Sequence, residues 1–287
     1  MSKKKKKIKK LAESNIQMLK SGKIKIAKDQ KINISSFVSK SVENTIVSRL
    51  DAIISKEDVV IDTKDLHPNI TTNLTNPVRT AELTAQINNP VTETIVITMS
   101  KKQSLEAFNY LDDGSLGEIL RTSTLAAIYK QIKDAWISLT KDDTSHFTNV
   151  LYIPDVMVFL DTDKMKIRKN PYKINVLLIA EPSVNKMTEN GIEKLSDEAA
   201  ASRVIADITE AAIKCGCKNI IIDPFGHKTL SKDISEVSKL WMQITSSQRF
   251  IENITSTIFA IEQEERFVVF NASKLGFNDP SVTVINF

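Results

Sequence analysis

From residue 92 onward the chain alternates short apolar runs with longer stretches of helical periodicity. The runs are residues 94–99, 150–159, 174–179 and 219–222, then 257–261 and 266–270, and most are rich in β-branched side chains. Helical spacing of apolar positions marks residues 116–136, 197–215 and 234–244 between them. Continuous apolar strands alternating with helices predict a mixed or mainly parallel sheet covered on both faces. Before residue 92 the pattern is different. Leu11, Ile16 and Leu19 give a helical stripe that Gly22 stops. Phe37, Val38, Val42, Ile46 and Leu50 predict a second helical region over 34–54. A polar stretch with Pro68 and Pro77 predicts a loop or linker over 67–76, and residues 79–87 read as one more helix. The expected organisation is a flexible basic tail over 1–10, a helical region over 11–90 and an α/β domain over 91–287.

Composition narrows the possibilities. With 287 residues, 41% of them hydrophobic and 26% charged, the chain can bury a full core. The net charge of +4 is concentrated in Lys3 to Lys7, Lys9 and Lys10, which read as a solvated tail, with a nucleic-acid or acidic-partner contact as the alternative. Cys215 and Cys217 are too few and too close for a disulfide framework, and they read as reduced, half-buried thiols near a helix end. They are not a redox pair, whose usual spacing is Cys-x-x-Cys. His67, His146 and His227 are scattered, so no metal constellation is legible and no cofactor is expected. No stretch is long and apolar enough for a membrane span, and the basic start lacks the apolar core of a secretory signal. A soluble, intracellular, cytoplasmic protein without membrane contact is expected. Trp136 and Trp241 fall in helical patterns and are expected in the core.

In sheets of the predicted kind ligands gather at the carboxyl ends of strands, beside helix N-termini. Two loops therefore matter, one after the strand ending at Met99 and one after 219–222. The second reads Asp223, Pro224, Phe225, Gly226, His227, Lys228, Thr229 and Leu230, and enters a helix through Ser231, Lys232 and Asp233. Backbone N–H groups there could accept a phosphate, Lys228 adds positive charge and Phe225 could pack on a ring. A plain strand-to-helix turn explains the same residues.

The second loop and its helix, with Phe225, Gly226, Asp233 and Val237, resemble the segment of microbial poly(ADP-ribose) glycohydrolases that runs from a strand through Gly-Ala-Phe/Trp-Gly-Cys-Gly-Val-Phe. Asp223 and Pro224 replace the leading Gly-Ala, His227 and Lys228 replace Cys-Gly, and Lys232 stands where that family has Asn. Residues 150–159, followed by Asp161, resemble its Val-Ile-Tyr-Ser-Pro-Asp-Val-Pro-Val-Phe, which is the sharpest of the matches. Residues 180–185, Arg203, residues 258–261 and the N-terminal helix agree in order, so the resemblance extends over nearly the whole chain. It implies a macro-domain-like α/β fold, a mixed sheet flanked by helices with a helical N-terminal extension, and ADP-ribose or an ADP-ribosylated protein as partner.

The family's chemistry lies in the first loop, where Asn-Pro-Gly-Gly-Gly-Phe leads to Gln-Glu-Glu and then Arg-Ser-Ser. Aligned without a gap, Arg121, Thr122 and Ser123 match the last motif and Phe108 the phenylalanine. The three glycines fall on Leu105, Glu106 and Ala107, and Gln-Glu-Glu falls on Ser115, Leu116 and Gly117. Consecutive glycines allow positive φ and close approach to a diphosphate, which side chains obstruct, and Glu106 would repel a phosphate. The family's second glutamate resembles a general acid, and Gly117 has no side chain to act as one. Glu118 is the one catalytic candidate, but a one-residue step turns a helical side chain by about 100°, and an acidic residue in a helix's first turn has an ordinary explanation. Asp112, Asp113 and Gly114 read as a turn.

The resemblance therefore implies a catalytically degenerate protein that retains a ligand site of Phe108 and Asp223 to Thr229. An active glycohydrolase using Glu118 or Glu106 is the first alternative. A scaffold protein with Leu105, Pro224 and Lys228 plugging the cleft is the second.

Overall fold

The computed structural model describes residues 3–27, 30–50, 69–87, 94–100, 114–141, 148–180, 197–223 and 233–276. Helix α1 (Lys3–Ser21) leads through a small antiparallel hairpin, β1 (Lys23–Ala27) and β2 (Gln30–Asn33), to α2 (Ile34–Glu43). Then come β3 (Ile46–Leu50), β4 (Ile70–Asn73), α3 (Pro77–Ile87) and β5 (Thr94–Ser100). Helices α4 (Ser115–Thr122) and α5 (Leu125–Lys141) precede the long strands β6 (Thr148–Asp161) and β7 (Lys166–Ala180). The rest comprises α6 (Asp197–Lys214), β8 (Asn219–Ile222), α7 (Ile234–Thr245), α8 (Gln248–Asn253), β9 (Ser256–Ala260) and α9 (Glu264–Gly276).

Seven strands form one mixed sheet in the order β3-β6-β7-β5-β8-β9-β4. β3, β6 and β7 pair antiparallel, whereas β7, β5, β8, β9 and β4 run parallel. Period-two alternation sends neighbouring side chains to opposite faces. Val96, Val176, Leu178 and Ile221 join the core under α1 to α5, while Ile95, Ile97, Leu177, Ile179, Ile220 and Ile222 join the core under α6 to α9. The mixed sheet covered on both faces is thus as expected, and Trp136 and Trp241 are both buried in it.

Five local expectations are corrected. The lysine run is helical from Lys3 onward, because Leu11, Ala12 and Asn15 anchor one face of α1 and lysine propagates a nucleated helix well. The helix expected over 34–54 ends at Glu43, and residues 46–50 form β3, where Ile46 and Val47 favour extended backbone. Part of the expected loop over 67–76 is β4, which pairs with β9 and closes the far edge of the sheet. The run 266–270, counted with the strands, belongs to α9, where Phe270 is buried and Val268 faces solvent.

The single helix expected over 116–136 is broken at Ser123 and Thr124. Thr124 makes two bonds to the Met157 backbone of β6, its N–H donating to the Met157 carbonyl (3.0 Å) and its side-chain Oγ1 accepting from the Met157 N–H (3.0 Å). The break ties both helices to the sheet. A bulge lies in β6 at Pro154 and Asp155, where Asp155 takes a left-handed φ of 56°. Its carbonyl accepts from Ser41 Oγ (3.2 Å), its N–H donates to Asn175 Oδ1 (3.1 Å), and its carboxylate meets Lys173 Nζ at 3.0 Å.

Candidate functional site

Helix α4 carries the residues on which the chemistry was expected to turn. Gly114 caps it in extended conformation, and Glu118 N–H donates to the Gly114 carbonyl at 3.0 Å. All eight residues of α4 are buried, with Ile119 and Leu120 in the core. Burying Arg121 at 3% exposure and Glu118 at 9% on the same short helix is costly without partners.

The partners come from a cavity of about 460 Å³. One wall is the turn between β6 and β7. Asp161 shapes this turn, its Oδ1 accepting from the N–H groups of Asp163 (3.0 Å) and Lys164 (2.8 Å). The turn thereby presents Thr162, whose Oγ1 donates to Glu118 Oε1 at 2.6 Å. The opposite wall is α3 with Arg79 and Glu82. Glu82 bridges two guanidiniums, accepting from Arg79 Nη1 at 2.5 Å and pairing with Arg168 of β7. Arg168 also donates from Nε to the Leu160 carbonyl (3.1 Å) and lies over the Tyr172 ring, and Tyr172 OH reaches the Val78 carbonyl (3.0 Å). Lys4 and Lys7 of α1 and Glu262, just after β9, complete the rim.

Five cationic and five anionic side chains thus surround the space. Burial holds the Glu118 carboxyl above its ordinary range, opposed by the hydroxyl of Thr162 and reinforced by the charge of Glu262. Burial of this kind favours the protonated form of a carboxyl, which is the direction a general acid needs.

Asp223 stands apart from this cavity. It follows β8 at the carboxyl end of the parallel strands, half-buried, with its N–H donating to the Ile97 carbonyl at 3.1 Å. Its carboxylate acts on Arg266 of α9, countering the burial that lowers that guanidinium's pKa. Pro224, Phe225, Gly226, His227, Lys228, Thr229 and Phe108 lie outside the described residues, as do Leu105, Glu106, Ala107 and the three histidines. The structure therefore brings Glu118 together with Arg121 but not with Asp223. Ser115, Leu116 and Gly117 form the buried first turn of α4, so no carboxylate stands at these three positions.

Arg79, Glu82, Thr162, Arg168 and the two cavity lysines escaped the sequence reading. The spacing of Arg79 and Glu82 on one helix was a usable signal, and so was an Asx turn at Asp161. Nothing local marks Arg168, since a partner 86 residues away defines its role. Cys215 and Cys217 form no disulfide; Cys215 is half-buried and Cys217 buried, and burial pushes the Cys215 thiol up to about 12, which disfavours its thiolate. Among the described residues no group of acidic, histidine or cysteine side chains could hold a metal ion. No described helix is long and apolar enough to cross a membrane.

The sheet order, the helices on both faces and the helix-borne cavity define a macro-domain-like α/β fold. More narrowly, the chain has the fold of the microbial poly(ADP-ribose) glycohydrolases. It is similar to the crystal structure of poly(ADP-ribose) glycohydrolase from Thermomonospora curvata, with a TM-score of 0.67 and 14% identity, over 93% of this chain and 98% of that one. The same enzyme bound to the inhibitor ADP-HPD gives a TM-score of 0.68 at 14% identity, covering 92% and 98%. The Deinococcus radiodurans glycohydrolase in complex with ADP-ribose gives 0.62 at 12% identity, covering 82% and 96%. No family model matches the sequence, and no curated protein matches it.

Proposed function

We propose that this protein binds ADP-ribose, or a nucleotide diphosphate closely related to it, on a glycohydrolase fold that no longer hydrolyses. The fold's likeness to enzymes crystallised with ADP-ribose and with ADP-HPD supports the ligand class. The loss of hydrolysis rests on one observation. When the chain is aligned without a gap to the family's motif, Gly117 falls on its second glutamate, and the neighbouring carboxylate, Glu118, is held by Thr162. Binding is assigned to Asp223, Pro224, Phe225, Gly226, His227, Lys228 and Thr229 with Phe108. Of these, Asp223 stands at the carboxyl end of the parallel strands, where such sheets take ligands.

Calorimetric titration with ADP-ribose at low salt, with Phe225→Ala as control, tests this. Micromolar binding that the control abolishes is the expected result. No heat and no thermal shift would overturn it and leave the scaffold role.

The cavity favours a second reading. Glu118 is buried, its pKa is raised and it faces a space lined by Arg121 and Arg168, as a proton donor to a leaving group would. Release of ADP-ribose from ADP-ribosylated protein, lost in Glu118→Gln, would establish that reading and end the first.

A further inference from the structure

Seven lysines lie between Lys3 and Lys10, and without them the chain's charge of +4 would become −3. The basic charge is therefore segregated at one end of one helix. Helix α1 is ordered from Lys3, and its first turn contains no acidic residue. Lysines at i and i+4 repel each other, and positive charge at a helix N-terminus opposes the macrodipole. Lys9 pairs with Glu13 on the next turn at a long 3.9 Å, and both side chains are mostly exposed.

What fixes the helix is its other face. Leu11 and Ala12 are buried against the body, and Asn15 Nδ2 donates to the Ser123 carbonyl at 3.0 Å. The lysines are thus displayed on an anchored rod, with Lys4, Lys5, Lys6, Lys7, Lys9 and Lys10 all exposed. We infer that this lysine face of α1 is a sequence-independent docking surface for a nucleic-acid duplex.

The match is one of charge density. Residues 3–10 span about 10 Å of helix axis, over which a DNA duplex carries about six phosphate charges, facing the four exposed lysines that do not line the cavity, Lys5, Lys6, Lys9 and Lys10. Phosphate contacts of this type position a duplex without reading its bases. No aromatic residue lies in α1, so the stacking platform that single strands favour is missing. A membrane surface is disfavoured, because the helix spends Leu11 and Ala12 on the protein core.

Fluorescence anisotropy with a labelled 20-base-pair DNA of arbitrary sequence tests the inference, with the same single strand and anionic lipid vesicles as comparators. The quadruple variant Lys5→Gln, Lys6→Gln, Lys9→Gln, Lys10→Gln leaves the cavity lysines in place. Wild type should bind the duplex at 50 mM salt, weakening on the order of a hundredfold by 200 mM if about four phosphates are neutralised. The variant should lose at least tenfold while melting at the same temperature and titrating ADP-ribose as wild type does. No duplex binding at 50 mM salt, equal binding by the variant, or tighter binding to vesicles than to the duplex would each overturn it. If the variant melts early, Lys9→Gln with Lys10→Gln alone must still weaken duplex binding, and failure to do so counts against it.

Discussion

The two faces of the central sheet put their buried polar groups to different use. Under α6 to α9 the core is mainly apolar, with Trp241 set edge-on against Phe259 at 6.0 Å and Phe270 packed beyond it at 5.4 Å, although Asp207, Ser238, Thr245 and Lys274 are buried there too. Under α1 to α5 the apolar core is interleaved with buried Asn15, Glu82, Glu118, Arg121, Ser123 and Thr124. Apolar packing is indifferent to direction, but a buried polar group must find a partner of the right kind. The first face therefore rests mainly on packing, and the second also on a particular arrangement of side chains, because Glu82, Glu118 and Arg121 line the cavity.

Substitution should separate the faces, and the largest effect belongs to the apolar one. Trp241→Ala is expected to cost about 3–5 kcal/mol in denaturant unfolding, with ligand binding unchanged in the fraction that stays folded. Asn15→Ala removes only a small polar group, yet should cost about 1–3 kcal/mol because the buried Ser123 carbonyl loses its donor. Thermal melting of that variant checks the value, and a neutral result would mean that the polar face tolerates gaps as the apolar face cannot.

Glu118→Gln should act in the opposite direction and depend on pH. The folded pKa of Glu118 lies above its ordinary value of 4.5, so the folded state holds the proton more tightly than the unfolded chain. Stability then falls as pH rises from about 4.5 through the folded pKa, because more protons are bound in the native state over that window. Glutamine avoids this loss and can still accept from Thr162. The variant should melt higher than wild type at pH 7, and the difference should vanish below pH 4.5. The smallest effect is expected at Arg249→Ala. Its bidentate pair with Glu210 joins α8 to α6 with good geometry (2.6 and 2.7 Å), but Arg249 is more than half exposed. Such pairs contribute about 0.2–1 kcal/mol, and less in salt.

The apolar face was legible in the sequence because periodicity encodes it. β5 and β8 fall where β-branched runs predict them, and α6 and α7 where helical spacing does. The polar face was legible only in part. Glu118 stood out through its place beside a family motif, whereas Thr162 and Arg168 acquire meaning only when the β6–β7 turn closes against α3 and α4. The break at Ser123 and Thr124 escaped for the same reason, since the bonds that cause it run to Met157. β4 is four residues long and its pairing with β9 is almost wholly non-local, so composition hid it.

The bulge at Pro154 and Asp155 has a consequence for how such chains are recognised. It lies within 150–159, where the sequence resembles the glycohydrolases most sharply, and the contacts of Asp155 with Ser41, Asn175 and Lys173 hold a backbone that few residues adopt. The most recognisable signature in this chain is therefore a joint, an architectural detail that can persist whether or not the molecule still works as an enzyme. A search guided by that signature would gather proteins built alike, and their trades would have to be learned elsewhere.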